Sequence, residues 1–230
     1  MNGNLKHTPK TMRYYVYRLN GPLTIDGGWE KVPWQKVKFL ELTNIMGNVP
    51  KHRPRTQVKV LYDDDNVYVI FRVEDRYVRA VAQEIHGRVW EDSCVEFFFT
   101  PDSDVENGYF NLEANCGGTI LFHCHDRMKK KTIPVKISDC EQIEIAHSLP
   151  KIIDPEITDP MTWTLEYRLP FAVLEKYWSL SRPCHGTIWR ANFYKCGDKT
   201  SHPHWLTWSV VDYPKPNFHL PQFFGILEFK

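Results

Sequence analysis

Residues 57–74 read QVKVLYDDDNVYVIFRVE and consist of two apolar runs on either side of a short acidic segment. Alternating β-branched and aromatic side chains are typical of strands, and the four residues 63–66 suit a tight chain reversal. The stretch therefore predicts an antiparallel hairpin. Successive strand residues face opposite ways, so one face of its second arm carries Val67, Val69, Phe71 and Val73, and the other carries Tyr68, Ile70, Arg72 and Glu74.

The same pattern recurs along the chain, with Pro, Gly, Asn and Asp between the runs. Further strands are expected at residues 13–19, 94–100, 109–114, 119–124, 142–147, 162–169, 187–195, 205–210 and 225–229. Residues 170–178 predict the one helix, because proline stands at its start and a Ser-Arg-Pro break follows. The chain shows no repeat and no long linker. These features predict a single all-β domain, an antiparallel β-sandwich of jelly-roll type with one short helix. Residues 1–24 would supply an N-terminal extension and the first strand, and residues 25–230 the rest of the sandwich.

Composition excludes several classes of function. The 230 residues include 13 Phe, 11 Tyr and 8 Trp, and 29 Lys plus Arg against 28 Asp plus Glu give a net charge of +1. Nucleic-acid-binding domains usually carry a basic stripe, so no nucleic-acid partner is expected. No apolar run approaches the roughly 18 residues that a membrane-spanning helix needs.

The compartment stays open between the cytoplasm and, if a leader was removed, the periplasm or the outside of the cell, because the polar first ten residues lack the apolar core of a secretory signal. The six cysteines form no CxxC pair and are expected to be mostly reduced and buried.

Several segments, in order along residues 25–229, carry a family resemblance. They are IDGGW at 25–29, VKVLYD at 58–63, VYVIFRVED at 67–75, WEDSCVEFF at 90–98, WRANFY at 189–194, TWS at 207–209 and FHLPQFFG at 218–225. Together they resemble the family 9 carbohydrate-binding modules. The resemblance implies a DOMON-like β-sandwich that binds sugar, typically without catalytic activity of its own. It also leaves room for structural calcium, for which the sequence indicates no position.

The resemblance further implies two aromatic rings that sandwich a terminal sugar. The first ring, just before the Glu-bearing strand, is Trp90. The second falls in the loop 214–221, where this chain has Phe218 and no tryptophan. Aromatic rings suit the C–H faces of a sugar because they bury a large area with few rotatable bonds. The alternative is that Trp90 packs in the core and that Phe218 fills the loop.

Strand parity predicts a polar wall beside Trp90. Glu96 shares a strand face with Cys94 and Phe98. Two other predicted strands carry similar polar rows, so the expected hydroxyl-binding residues are Glu96, Asn111, Glu113, Arg190 and Asn192. An internal Glu96–Arg190 ion pair is the alternative. Trp163, Trp189 and Trp208 are assigned to the core, and Trp29 and Trp34 to the end of the sandwich.

Signals for a metal are weak in this sequence. The segments His123-Cys124-His125 and His202-Pro203-His204 each place two histidines on one strand face, without a fixed third or fourth ligand. The acidic turn 63–66 lacks the ligand ladder of a calcium loop and is interpreted as a solvated hairpin. The basic run 129–131 is interpreted as an exposed loop.

The sequence therefore predicts non-catalytic carbohydrate binding in glycan utilisation, with an oligo- or polysaccharide as ligand and a glycoside hydrolase as a candidate partner. Three alternatives stay open. Glu96 and Glu113 are expected on neighbouring strands and could act as the paired carboxylates of a glycoside hydrolase. A DOMON-like fold could instead hold a metal or haem. A sandwich that binds another protein is the third.

Overall fold

The computed structural model describes residues 11–230, and short β-strands dominate this part of the chain. The strands are β1 (Arg13–Arg18), β2 (Leu40–Glu41), β3 (Asn44–Ile45), β4 (Arg55–Tyr62), β5 (Asn66–Asp75), β6 (Val78–Ala80), β7 (Cys94–Thr100), β8 (Gly108–Asn115), β9 (Ile120–Asp126), β10 (Lys131–Pro134), β11 (Glu144–His147), β12 (Ile153–Ile157), β13 (Met161–Pro170), β14 (Ile188–Cys196), β15 (Trp205–Thr207) and β16 (Gly225–Phe229). Single-turn helices are α1 (Val32–Gln35), α2 (Ile137–Cys140) and α3 (Phe171–Leu174), and 3₁₀ turns lie at Val89–Glu91 and Pro221–Phe223.

Two sheets form a sandwich, as the sequence predicts, and they share β1. The front sheet has the order β10–β9–β8–β7–β14–β16–β1, and the back sheet has the order β1–β4–β5–β13–β11. The first four residues of β1 pair with β16 and its last two residues pair with β4, both in parallel. These two parallel pairings are a departure from a purely antiparallel sandwich. On the far side of β14, β15 and β3 extend the front sheet.

The predicted hairpin is confirmed. Strands β4 and β5 pair from Arg55 with Glu74 to Tyr62 with Val67. The Asp63 carboxylate closes the reversal, since its Oδ1 accepts hydrogen bonds from the backbone N–H groups of Asp65 (2.9 Å) and Asn66 (2.7 Å). This local use of Asp63 fits a hairpin turn better than a calcium loop.

The main core lies between the two sheets and is largely aromatic. Phe193 of β14 stacks on Phe97 of β7 at 4.8 Å between ring centroids, and it meets Phe71 of the back-sheet strand β5 edge-on at 6.1 Å. The tryptophans assigned to the core are confirmed, because the exposed fractions of Trp163, Trp189 and Trp208 are 0, 0 and 2%. Such burial of large rings supplies most of the driving force for folding.

A second, smaller apolar cluster lies on the opposite face of the front sheet. Its buried members include Phe98, Tyr109, Leu121, Tyr194 and Phe218. The side chains of β7, β8, β9 and β14 therefore alternate between the main core and this outer cluster. The polar side chains of Glu96, Asn111 and Glu113 lie on the same face of the front sheet as the outer cluster.

Several elements differ from the sequence predictions. The strands expected at 142–147 and 205–210 are shorter, at Glu144–His147 and Trp205–Thr207. The expectation of one helix is wrong, because α1 and α2 are also present in the described residues. Elements of two to four residues cannot show a helical or alternating period, and α1, α2, β2, β3, β6 and β10 belong to this class.

All six cysteines are free in the structure, and Cys184 alone among them is exposed. The assignment of Trp29 and Trp34 to the end of the sandwich is wrong, because both lie over the middle of the outer face of the back sheet. Trp34 is fully buried and its indole N–H donates to Glu166 of β13 at 2.8 Å. Trp29 is half-buried and lies under the ammonium of Lys59 of β4, and Glu166 and Lys59 both pair with Ile70 of β5. Within residues 11–230, no helix has the length and apolar character needed to cross a membrane.

Candidate functional site

A pocket of about 370 Å³ opens on the outer face of the front sheet. Strand register places its polar groups side by side: Glu96 of β7 lies opposite Glu113 of β8 and, on the other side, Tyr194 of β14. Asn111 lies opposite His123 of β9. The lining comprises Trp90, Glu96, Phe98, Asn111, Glu113, Leu121, His123, His125, Cys196, Asp198, Trp205, Pro216, Asn217, Phe218 and His219.

Two carboxyl groups on neighbouring strands form the deepest polar part of this pocket. Glu96 is 2% exposed and Glu113 is 5% exposed. Burial raises the pKa of Glu96 well above its usual range, and the adjacent Cys196 and Glu113 raise it further. Burial likewise raises the pKa of Glu113 to about 7, against the hydrogen bond from Asn111, which lowers it. Burial therefore favours the protonated form of both carboxyls, which donates as well as accepts hydrogen bonds.

Three histidines also line the pocket, His123 and His125 from β9 and His219 from the loop before β16. His125 Nε2 lies 2.8 Å from Asn111 Oδ1, and His219 Nδ1 lies 2.9 Å from the Tyr109 hydroxyl. Burial lowers the pKa of His123 and of His125 to about 4, and it also lowers the pKa of His219. All three rings are neutral at pH 7, so the wall offers hydrogen-bonding groups without a positive charge.

Trp90 is half-buried and lies on the 3₁₀ turn before β7. Its carbonyl oxygen accepts a hydrogen bond from the Asp198 N–H at 3.1 Å. The neighbouring Asp92 carboxylate fixes the turn, since its Oδ2 accepts the N–H groups of Val81 and Ala82 at 2.9 Å each, and the Asn115 amide at 2.9 Å. The aspartate of the Trp-Glu-Asp-Ser segment thus positions the tryptophan at the pocket rim.

Phe218 reaches the same pocket from the loop that precedes β16. Its ring stacks on Tyr194 at 4.1 Å and meets Phe98 edge-on at 6.5 Å. The Tyr194 hydroxyl donates to the Phe218 carbonyl at 3.2 Å. Phe218 therefore lines the pocket, and it is also 9% exposed and packed against its neighbours, while its role as a sugar-stacking ring stays a prediction.

The structure does not bring Arg190 and Asn192 to the pocket, contrary to the sequence prediction. The Arg190 guanidinium donates to the carbonyl oxygens of Phe224 and Gly225. The Asn192 amide is saturated by backbone groups, donating to the Ser209 carbonyl at 3.1 Å and accepting the Ser209 N–H at 2.8 Å. The alternative ion pair between Glu96 and Arg190 is also wrong. Parity assigned both residues to the correct face but did not give their position along the strand.

Several lining residues were not predicted as ligand contacts. Trp205 adds a second half-buried indole, whose N–H donates to Asp198 Oδ1 at 2.8 Å. Asp198 and His219 come from loops and gave no periodic signal. His123 and His125 were noted as a weak metal pair, and their placement on one strand face is confirmed by the pocket that they both line.

Neither histidine pair forms a metal centre with other described side chains. Within residues 11–230, one group of three His, Cys, Asp or Glu side chains has ligand atoms close enough together to hold a metal ion. This group consists of Cys94, Glu96 and Cys196. His204 instead faces the Lys195 ammonium at 2.8 Å. Calcium prefers six to eight oxygen ligands, and the one group found has two thiols, so it does not fit calcium.

Known proteins resemble this chain in sequence and in fold. The family model described as carbohydrate-binding family 9 matches residues 28–229. A Bacteroides uniformis protein assigned provisionally to carbohydrate binding is similar in structure, with a TM-score of 0.86 and 27% identity, over 96% of this chain and 100% of that chain. No curated protein matches the chain.

Two solved structures of a family 9 module from Caldicellulosiruptor kristjanssonii are also similar. The complex with cellotriose has a TM-score of 0.66 and 17% identity, over 95% of this chain and 94% of that one. The complex with glucose has a TM-score of 0.62 and 15% identity, over 95% and 96%. These two support the fold, and the family match covers nearly the whole described chain. The protein belongs to carbohydrate-binding family 9, and its function is carbohydrate binding.

Proposed function

We propose that the pocket is the carbohydrate site and that it binds one end of a neutral glycan without cleaving it. A sugar ring would stack on Trp90, and Glu96, Asn111 and Glu113 would bind its hydroxyls. The observation that carries this proposal is the meeting of a half-exposed indole with three neighbouring buried polar groups in one cavity. Aromatic faces with hydrogen-bonding groups at the rim match the two kinds of surface that a pyranose offers.

The size of the pocket supports a chain end. Ligand sites in proteins span about 300–1,000 Å³, and the pocket lies near the lower limit of this range at about 370 Å³. Such a volume suits one or two sugar rings and does not suit a long internal segment of polysaccharide.

The charge of the pocket supports a neutral sugar. Lysine and arginine are absent from its lining residues. Burial raises the pKa of Glu96 and lowers the pKa of His123 and of His125 to about 4, so it favours the uncharged form of each of these groups. Such groups bind hydroxyls well, and a lining without a cationic side chain offers no counter-charge to a uronic acid or sulfate.

The proposal also states that the site does not cleave the glycan that it binds. The match of residues 28–229 to a family described as carbohydrate-binding supports this part of the proposal, although Glu96 and Glu113 are direct neighbours in register and both have raised pKa values, as in a paired-carboxylate hydrolase. Release of reducing sugar from a polysaccharide panel would contradict this part of the proposal while leaving the binding site intact.

A glycan array, followed by calorimetry on the glycans retained, tests the binding site. Glucose and cellotriose belong in the panel because the Caldicellulosiruptor kristjanssonii module was solved with them. We expect binding of at least one neutral oligosaccharide, lost on substitution of Trp90. Failure of every glycan would favour a protein-binding sandwich. A parallel array after chelation tests the calcium expectation, and co-purification tests the proposed hydrolase partner.

A further inference from the structure

Two thiols and a carboxyl meet at the base of the pocket, and we name Cys94, Glu96 and Cys196 the thiol cluster. Cys94 and Cys196 lie directly opposite each other on β7 and β14, and Glu96 follows Cys94 by two residues on the same strand face. One possible ligand atom from each residue lies within 4.8 Å of the other two. The Cys196 thiol donates to Glu96 Oε1 at 3.1 Å.

These spacings suit a tetrahedral metal ion. Zinc binds sulfur at about 2.3 Å and carboxylate oxygen at about 2.1 Å, so two ligands at the tetrahedral angle stand roughly 3.5–3.8 Å apart. The ligand atoms of the thiol cluster all lie within 4.8 Å of one another, and Cys196 Sγ lies 3.1 Å from Glu96 Oε1. Small side-chain rotations would complete the geometry, because all three residues belong to paired strands whose backbones are fixed.

A fourth group points to the same place. Glu113 lies opposite Glu96 in the register of β7 and β8, and its Oε2 is buried without a hydrogen-bond partner. Its Oε1 accepts the Asn111 amide at 2.8 Å. A buried carboxyl oxygen without a partner is costly, so Glu113 supplies either a fourth ligand or an acceptor for a water molecule on the ion.

Access and chemistry select the kind of ion. Glu96, Glu113 and Cys196 all line the open pocket, so an ion can enter through the cavity without unfolding of the sheet. Thiolates select soft or borderline cations such as zinc and cadmium, and they disfavour calcium and magnesium. The pocket lining also lacks a lysine or arginine that would repel a cation.

We propose that the thiol cluster is a binding site for a thiophilic divalent cation of the zinc type, with Cys94, Cys196 and Glu96 as ligands and the fourth position directed toward Glu113 and the sugar pocket. The site shares Glu96 with the proposed sugar contacts, but metal binding is measured without glycan. Failure of the metal site would therefore leave the proposed carbohydrate site untouched, and failure of the glycan array would leave the metal site untouched.

The first experiment uses the unaltered protein, reduced and freed of metal, and adds Zn²⁺ alone. We expect one equivalent per chain by elemental analysis, with two sulfur ligands per zinc in the X-ray absorption spectrum. A coordination shell of nitrogen and oxygen only would assign the ion to histidines such as His123 and His125 and would overturn the proposal. The absence of saturable binding would do the same.

The second experiment titrates Cd²⁺ and follows the thiolate-to-metal charge-transfer absorption. Loss of an outer-shell partner alone weakens metal binding about 10–100-fold, so we expect Cys94→Ser and Cys196→Ser to weaken it by at least about 100-fold. Cys140→Ser is the matched control, because Cys140 is equally buried and is not part of the thiol cluster. Retention of the absorption in both test variants, or equal loss in the control, would refute the assignment. Glu96→Gln gives a third test if the serine variants do not fold.

Discussion

Replacement of Trp90 by alanine is the sharpest test of the carbohydrate site. A sugar face laid on the indole would remove about 80 Å² of apolar surface from water, which is worth about 2 kcal/mol at about 25 cal/mol per Å². Because 1.4 kcal/mol corresponds to a factor of ten in affinity, we expect Trp90→Ala to weaken glycan binding about 30-fold. Isothermal calorimetry with the best glycan from the array measures this change.

The fold should survive this substitution because the structural hydrogen bonds of Trp90 are made by its backbone. Its carbonyl accepts the Asp198 N–H at 3.1 Å, and alanine retains this hydrogen bond. The indole packs only partly on the outer apolar cluster. We therefore expect a loss of about 1 kcal/mol in unfolding free energy and a fall of about 2–4 °C in Tm.

Trp29→Ala is the matched control for this test. Trp29 is also half-buried, but it lies away from the pocket with the Lys59 ammonium 4.2 Å from its ring centroid. We expect a similar small loss of stability and unchanged glycan affinity. A Trp90→Ala protein that binds as tightly as the parent would refute stacking on this ring. Equal losses of affinity in both variants would show that the effect comes from the fold.

Three further predictions concern stability, each measured by urea unfolding. Glu166→Ala should lower the unfolding free energy by about 3–5 kcal/mol, because this fully buried carboxylate accepts hydrogen bonds from the Gly27 N–H (2.8 Å) and the Lys31 ammonium (2.7 Å). A loss below about 1 kcal/mol would contradict this prediction. Burial, and to a smaller extent the Lys195 charge, lowers the pKa of His204 to about 3, so the stability contributed by its neutral form is complete above pH 6.5 and is lost as the pH falls toward 3. His204→Gln should reduce the slope of unfolding free energy against pH in this range by up to about 1.4 kcal/mol per pH unit. An unchanged slope would refute this prediction. Gly108→Ala should lower the unfolding free energy by at least about 2 kcal/mol, because Gly108 has a φ of +136° and an added Cβ would lie 1.9 Å from the His125 carbonyl oxygen. An unchanged unfolding free energy would show that the backbone at Gly108 relaxes easily.

The long strands were predictable because each extends over enough residues to show its period. The runs at 94–100 and 225–229 match β7 and β16 at both ends. The sharing of β1 between two sheets was not predictable, since it depends on contacts with residues 44 to 213 positions away. Periodicity records local alternation, and such pairings leave no local trace.

The candidate site was predicted in part for the same reason. Alternation placed Glu96, Asn111 and Glu113 on one face, and the pocket lies there. It also assigned Arg190 to this face, but Arg190 pairs with Thr100 whereas Tyr194 pairs with Glu96. Four residues of strand amount to about 13 Å, which takes Arg190 out of the pocket. Trp205 was not predicted because its position depends on the pairing of the three-residue strand β15 with Cys196 at the end of β14.

The parallel pairing of β1 with β16 has a mechanical consequence. These strands lie near the two ends of the described chain and run in the same direction, with Arg13 opposite Ile226 and Val16 opposite Phe229. Tension between the two ends pulls β1 backward and β16 forward along a common axis. The interstrand hydrogen bonds are then loaded together, in shear, and cannot break one after another as in unzipping. A domain that holds a polymer under load would resist mechanical unfolding by this arrangement.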